Sequence, residues 1–219
     1  MIGSYYKKKN MEKLSELNSM AAKAYEAFCS FDNAVMSSGQ IPVKLKELIA
    51  VACAHITGCP YCIDKHVNAA KKQKATPQEI GESIFVATAL KAGAALAHGI
   101  NTLNALDDSN GDEELYSAER MSRLGELSAL AEEPFKAFFN FDAQAMKSGA
   151  LTAREKELIA VACTHVTGCS YCIHTHVRNA KKLGVSIEEI GECIFIATAL
   201  KAGSAFTRGV NAIIAYDEE

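Results

Sequence analysis

Two short segments of the chain carry the residue types best suited to chemistry, and both have the pattern Cys-x-x-Cys-x-x-x-His. The residues are Cys59, Cys62 and His66 in the first segment and Cys169, Cys172 and His176 in the second. On a helix, residues three and four positions apart lie on one face. The spacing therefore predicts two thiols and an imidazole side by side, twice in one chain.

Such a pair of thiols can close a disulfide if the first cysteine lies at the frayed start of its helix. Gly58 and Gly168 precede the two pairs, so the helix start there offers unsatisfied N–H groups and the positive end of the helix dipole. Both stabilise a thiolate. A histidine four residues after the second cysteine can accept the thiol proton or hold the thiolate by its charge. The pattern predicts a reactive second cysteine with a resolving first cysteine.

A glutamate precedes each pair by twelve residues, at Glu47 and Glu157. The helix predicted around each is apolar, so a partly buried carboxylate facing the cysteines and acting as a proton relay is one interpretation. A solvated surface glutamate is the other. His55 and His165 follow on roughly the same face, and they either orient the glutamate or are core histidines.

The other four cysteines lie outside this pattern. Cys53 and Cys163 stand in apolar runs and are predicted to be small buried hydrophobes. Cys29 and Cys193 align with Phe139 and Ser83 in the other half of the chain, which indicates packing positions.

The two halves of the chain are copies of one unit, related without a gap by a shift that carries Cys59 onto Cys169. Such self-similarity marks a duplicated structural unit. The prediction is a first repeat at 1–106, a polar linker at 107–115 and a second repeat at 116–219.

Each repeat has the start and stop signals of helices and no convincing strand periodicity, so the predicted fold class is all-α. Pro42 and the Thr152–Glu155 capping box begin one helix, which ends near Gly58 or Gly168. Capping boxes at Thr76 and Ser186 begin a later helix, which we expect to be interrupted at Gly93 or Gly203, with a fourth apolar segment closing each copy.

The composition is that of an ordinary globular protein, with 219 residues, 49% hydrophobic and a net charge of -3. It argues against a disordered chain and against a nucleic-acid binder, which would carry a basic patch. The apolar stretch 84–100 is broken by Lys91 and His98, so no membrane span is expected. No signal peptide is recognised, and thiols in a redox spacing favour the cytoplasm.

The glutamate, the Cys-x-x-Cys pair and the following histidine together resemble the signature of the AhpD-like branch of the carboxymuconolactone decarboxylase superfamily. The surrounding Thr-Gly-Cys-x-Tyr-Cys-Ile-x-x-His and the later Ala-Thr-Ala-Leu-Lys-Ala-Gly are similar too. The resemblance covers 31–106 and 141–216. The chain differs from some AhpD proteins in having Tyr61 and Tyr171 where they have a histidine.

The resemblance implies an all-helical thiol peroxidase or disulfide reductase without a cofactor. Cys62 and Cys172 would attack a hydroperoxide, and Cys59 and Cys169, exposed to an external dithiol reductant, would resolve the product. The relays would be Glu47 with His66 and Glu157 with His176. Single-unit relatives assemble as hexamers, so the resemblance implies a homo-oligomer, with a trimer of the fused pair.

Two alternatives stay open. The other branch of the superfamily implies a cofactor-free decarboxylase or lactone-directed enzyme, although that chemistry needs no dithiol. Alternatively, the two sulfurs and the imidazole could provide three ligands of a zinc or redox-sensing site, with a fourth ligand from elsewhere.

Overall fold

The computed structural model describes residues 6–107 and 116–217, and every regular element in those ranges is helical. The all-α prediction is confirmed. The first repeat contains a 3₁₀ helix at Lys8–Lys13 and then α1 (Leu14–Met20), α2 (Ala22–Met36), α3 (Val43–Thr57), α4 (Pro60–Lys72) and α5 (Pro77–Leu106). The second contains a 3₁₀ helix at Ala118–Arg123 and then α6 (Leu124–Leu130), α7 (Glu132–Met146), α8 (Ala153–Thr167), α9 (Ser170–Lys182) and α10 (Ile187–Asp217).

The turns that place the cysteines form where the sequence signals predicted them. α3 and α8 end at Gly58 and Gly168, whose φ angles of 64° and 75° lie in the left-handed region that glycine adopts without strain. At the start of α8, Thr152 Oγ1 accepts the Glu155 N–H while the Glu155 carboxylate accepts the Thr152 N–H. These signals make each cysteine pair follow directly on a sharp turn.

The predicted interruption at Gly93 and Gly203 is wrong, because α5 and α10 each run unbroken through these positions. A glycine inside a helix costs only about 1 kcal/mol relative to alanine, and burial of flanking residues such as Leu90 and Ile100 offsets it. Another glycine of α5, Gly99, allows α6 to pack closely against the helix. A Cβ added at Gly99 would lie 2.8 Å from Cδ1 of Leu127 on α6.

The two repeats share one hydrophobic core. α3 and α8 lie at its centre and contact each other, and the long helix of each repeat packs on the central helix of the other, α5 on α8 and α10 on α3. The segments 48–54 and 158–164 of these central helices are completely buried. Except for Asp107, the linker predicted at 107–115 lies outside the described residues.

Two equivalent carboxylates also join the repeats. Glu192 on α10 accepts the N–H groups of Gln40 (2.7 Å) and Ile41 (3.1 Å) and lies 3.0 Å from the buried ammonium of Lys46. In the other direction, Glu82 on α5 accepts the N–H groups of Ala150 and Leu151 and lies 2.9 Å from Lys156 Nζ.

By length and composition alone, α5 and α10 would also suit a membrane span. Both helices pack against α3 and α8 in the common core, which accounts for the apolar residues on their buried faces.

Candidate active sites

Each cysteine pair lies at the N-terminus of a helix, as predicted. Cys59 is the N-cap of α4, and its sulfur accepts the N–H of Cys62 at 3.3 Å. Cys169 caps α9 and accepts the N–H of Cys172 at the same distance. The first sulfur of each pair therefore receives a backbone hydrogen bond and the positive end of the helix dipole, both of which favour a thiolate.

The glutamate and histidine of each repeat are in contact. Nδ1 of His66 lies 2.8 Å from Glu47 Oε2, and Nδ1 of His176 lies 2.8 Å from Glu157 Oε2. The Glu157 carboxylate also accepts a longer hydrogen bond, 3.4 Å, from the side chain of Asn179. These pairs bridge α3 to α4 and α8 to α9, and they leave Nε2 of each imidazole uncommitted to the carboxylate.

The first pair is reduced, and its sulfurs lie against a hydroxyl of the second repeat. Thr207 Oγ1 on α10 is 3.2 Å from Cys59 Sγ and 3.6 Å from Cys62 Sγ. Despite its burial, Cys59 has a pKa lowered to about 5, mainly because Cys62 hydrogen-bonds to its sulfur and also because of Thr207, the Cys62 N–H and Ser204. The same Cys59 contact, together with burial, raises the pKa of Cys62. The anion of the reduced pair is therefore centred on Cys59.

The second pair is a disulfide between Cys169 and Cys172, with Cα atoms 5.3 Å apart. Cys172 is partly exposed and opens to a cavity of about 260 Å³. Apolar side chains form most of its wall, and Glu157 and His176 also line it. The apolar lining residues include Leu90, Leu96, Ala97, Met121, Leu124, Phe138, Phe139 and Met146. A substrate of moderate size could reach the second sulfur of this pair.

The long helix of one repeat covers the site of the other: α10 covers the first cysteine pair and α5 lines the cavity at the second. Sequence reasoning missed these residues, Thr207 and Ser204 above all. Their only signal is that they align with Ala97 and Ala94 in the other copy. Nothing in the spacing reveals that position 207 lies beside position 59.

The structure corrects one further expectation and decides between two alternatives. Cys59 and Cys169 were expected to be exposed to a reductant, but both are completely buried, since the turn and the long helix of the other repeat enclose them. Of the two interpretations of His55 and His165, the structure supports core histidines. Nδ1 of His55 lies 2.8 Å from Val51 O, within its own helix, and His165 makes the same contact with Val161.

The remaining cysteines lie where packing was predicted. Cys53, Cys163 and Cys193 are completely buried, and Cys29 is partly buried. Burial raises the pKa of Cys163 and Cys193, which keeps these thiols protonated and inert. Within 6–107 and 116–217, no group of three or more histidine, cysteine or acidic side chains is arranged to hold a metal ion.

Comparison with known proteins agrees with the duplication. The family model described as the carboxymuconolactone decarboxylase family matches twice, at residues 22–105 and 132–215. "Uncharacterized protein 4 in cox locus" of Paracoccus denitrificans is 41% identical over 98 residues, which are 45% of this chain and 88% of that protein. An uncharacterized protein of Cupriavidus necator is 30% identical over 87 residues, 40% of this chain and 77% of that protein. These relatives therefore each match about one repeat.

A crystal structure from Burkholderia xenovorans has the same fold, with a TM-score of 0.70 and 17% sequence identity over 95% of this chain and 94% of that one. That protein is named as a candidate gamma-carboxymuconolactone decarboxylase subunit. Two matches of the family model cover most of the chain, one in each repeat. The protein is thus a tandem-duplicated member of the carboxymuconolactone decarboxylase family.

Proposed function

We propose that the protein is a thiol-dependent peroxidase or disulfide reductase that uses a cysteine pair and a Glu–His relay in each repeat. The supporting observation is the duplicated arrangement of two sulfurs at a helix start with a histidine held at 2.8 Å by a glutamate. In the second repeat the Glu157–His176 pair lines the same cavity as Cys172, and a carboxylate–imidazole pair in such a place is suited to moving protons during sulfur chemistry.

The resting anion lies on Cys59, so in the proposed cycle Cys59 first takes up a proton from solvent while Cys62 gives its own proton to His66, which Glu47 orients. The Cys62 thiolate then attacks the hydroperoxide. The O–O bond breaks, a sulfenic acid forms on Cys62, and the alkoxide leaves as an alcohol with the proton from His66. Cys59 then attacks the sulfenic sulfur, so that a disulfide forms and the hydroxide leaves as water with the proton that Cys59 gives up. Two electrons have passed from the pair to the peroxide, and an external dithiol returns them by exchange.

The residues of the second site would act in the same way: Cys172 attacks, Cys169 resolves, and Glu157 with His176 relays the proton. The partial exposure of Cys172, against the full burial of Cys169, supports the second cysteine as the one that meets substrate. The cavity beside it suits an apolar hydroperoxide or disulfide better than a highly charged one.

The test is hydroperoxide consumption with a dithiol donor by the unmodified protein and by the double variant Cys62→Ser/Cys172→Ser. We expect turnover in the former and none above background in the latter. Cys29→Ser is the matched control, since this cysteine lies outside both pairs, and it should leave the rate unchanged. Equal rates for the double variant and the unmodified protein would refute the proposal.

The second candidate is a decarboxylase-like or lactone-directed activity, which the family and the name of the fold neighbour favour. There the Glu–His pairs would serve as acid–base groups and the cysteines would be dispensable. Turnover of a carboxylated lactone that persists after complete thiol alkylation would favour this function over the first.

The cellular setting is part of the same proposal. A dithiol that must be reduced between turnovers fits the cytoplasm, which cell fractionation tests. Assembly into a trimer follows only from the family resemblance, and the mass measured by light scattering during gel filtration checks it.

A further inference from the structure

The two sites differ most where the other repeat covers them. α10 presents Thr207 and the buried Ser204 to the first pair. At the equivalent positions, α5 has Ala97 and Ala94, which pack in one buried cluster with Cys169. The first pair therefore lies against hydroxyl groups and the second against methyl groups.

The Thr207 hydroxyl can serve both protonation states of the first pair. When the cysteines are protonated, its hydrogen can stay on the carbonyl oxygen of Gly203, 2.9 Å away, while its oxygen accepts from a thiol. When Cys59 is a thiolate, the hydroxyl can rotate and donate to that sulfur at 3.2 Å. Gly203 O still has its helical N–H partner after this change, so little is lost.

The charge of Lys65 also distinguishes the first pair from the second. Lys65 on α4 lowers the pKa of Cys62, opposing the larger effects of Cys59 and burial, and its ammonium lies 3.0 Å from Asp32. The second repeat has Thr175 at this position, and its hydroxyl donates to the carbonyl of Tyr171 within its own helix. At the three positions compared, the second repeat therefore has Ala97, Ala94 and Thr175 in place of Thr207, Ser204 and Lys65.

We propose that the two cysteine pairs are redox-inequivalent, and that Thr207, supplied by the second repeat, sets the difference by hydrogen-bonding to the sulfurs of the first pair. The first pair is stabilised in its dithiol form, while the second is more readily kept as a disulfide. The relevance of this difference to turnover rests on the proposed function, but the difference itself is a property of the resting protein.

The experiment equilibrates the native protein with mixtures of reduced and oxidised dithiothreitol at fixed pH. The protein pair loses two electrons as its S–S bond forms, and the cyclic disulfide of the reagent is opened and reduced. One proton is taken from solvent if the pair starts as thiol and thiolate. Acid quenching, denaturation and alkylation then allow mass spectrometry to count the oxidised fraction of each pair separately, so burial of the sulfurs does not matter.

At pH 7 we expect half-oxidation of the first pair to need an oxidised-to-reduced dithiothreitol ratio about tenfold higher than that of the second pair. One pKa unit of thiolate stabilisation produces a tenfold ratio. Thr207→Val keeps the shape and removes the hydroxyl, and it should abolish most of this gap. Thr207→Ser should restore it. Ala97→Thr, which adds the hydroxyl beside the cavity, should move the second pair toward dithiol.

The pH dependence separates a hydrogen bond to a thiolate from a packing effect. The effect of Thr207→Val should be full well above the Cys59 pKa of about 5 and should fall to a small remainder as the pH drops through it, because the hydroxyl bonds a thiolate more strongly than a neutral thiol. A packing effect would persist at low pH.

The inference would be overturned if both pairs became half-oxidised in the same dithiothreitol mixture, or if Thr207→Val and Thr207→Ser shifted the midpoint of the first pair equally. An unchanged midpoint of the second pair in Ala97→Thr would also overturn it. These readouts need no turnover. Unequal pairs in a protein that consumes neither peroxide nor disulfide would reject the proposed function alone, and equal pairs in an active protein would reject this inference alone.

Discussion

The first and second cysteine sites have the same local frame and different surroundings. Both have a cysteine N-cap with a 3.3 Å hydrogen bond from the second cysteine's N–H, and both have a 2.8 Å Glu–His contact. The difference comes from the long helix of the other repeat. That helix places Thr207 against the first pair and Ala97 at the equivalent position of the second site. At these sites the contacts of the cysteine pair and the relay within a repeat are alike, whereas the residue that covers the pair from the other repeat differs.

The equivalent acidic residues Asp32 and Asp142 also differ in their surroundings. Asp32 pairs with Lys65 at 3.0 Å. Asp142, its equivalent, lines the cavity, and burial together with the Glu157 charge raises its pKa against the opposing charge of His176. The second site therefore combines a disulfide with a carboxyl group that gains protons more easily.

Loss of both relays should have the largest effect. Glu47→Gln/Glu157→Gln removes the carboxylates that orient the histidines and stabilise their charge, and we expect turnover to fall about 100-fold, within the usual range for acid–base catalysis. The measurement is the initial rate of peroxide consumption. Glu16→Gln on the exposed face of α1 is the control and should have no effect on the rate. If the double variant lost no more activity than this control, the glutamates would not act as relays.

Disabling one site at a time tests the inequality in turnover. Cys172→Ser should lower the rate at pH 7 about tenfold, and Cys62→Ser less than twofold, because Cys172 is partly exposed beside the cavity whereas Cys62 is buried and its pKa is raised. The comparison uses steady-state rates with the same donor. Two equal losses of half the rate would mean that the sites contribute equally.

The pH profile sharpens the same comparison. A Cys169→Ser/Cys172→Ser variant retains only the first pair, and its thiolate should persist down to about pH 5 and disappear as the pH falls through that value. In a Cys59→Ser/Cys62→Ser variant the remaining pair, once reduced, should lose its thiolate at a higher pH, because Ala97 stands where Thr207 contacts the first pair. Thiolate absorbance at about 240 nm measures both. Superimposable profiles would contradict the assigned difference in thiol environment.

The smallest expected effect is on stability, at the carboxylates of Glu192 and Glu82, which make equivalent contacts in the two repeats. Burial favours the neutral form of Glu192, but the N–H groups of Gln40 and Ile41 and the ammonium of Lys46 outweigh it and lower the pKa below 4.5. Glu82 has the same balance, again with a lowered pKa. Glu192→Gln and Glu82→Gln should each reduce the free energy of unfolding by about 1–3 kcal/mol, the cost of losing hydrogen bonds to a charged group.

The sign of the pH dependence follows from those lowered pKa values. The stabilisation is present above the ordinary glutamate pKa and is lost as the pH falls through the lower folded-state value, so the two variants should converge on the unmodified protein in acid. Denaturant unfolding at several pH values measures this. Markedly unequal losses of unfolding free energy in Glu192→Gln and Glu82→Gln would show that these two contacts are not equivalent.

Much of the local structure was predictable because short-range signals determine it. The Thr152–Glu155 capping box and the left-handed Gly58 and Gly168 form as the residues predict, and the cysteine and histidine spacing follows from the helical repeat. The predicted break at Gly93 failed because a modest helix penalty was outweighed by burial along the whole of α5, which local sequence does not express.

The sequence by itself determined the duplication, the helical class and the position of each cysteine pair at a helix start, since these depend on neighbours a few residues apart. Only the tertiary structure decided that Glu47 meets His66, that Cys59 is enclosed, and that Thr207 lies on the sulfurs of the other repeat. Those contacts join residues far apart in the chain, and they form because two copies bury their apolar helices in one core rather than in two.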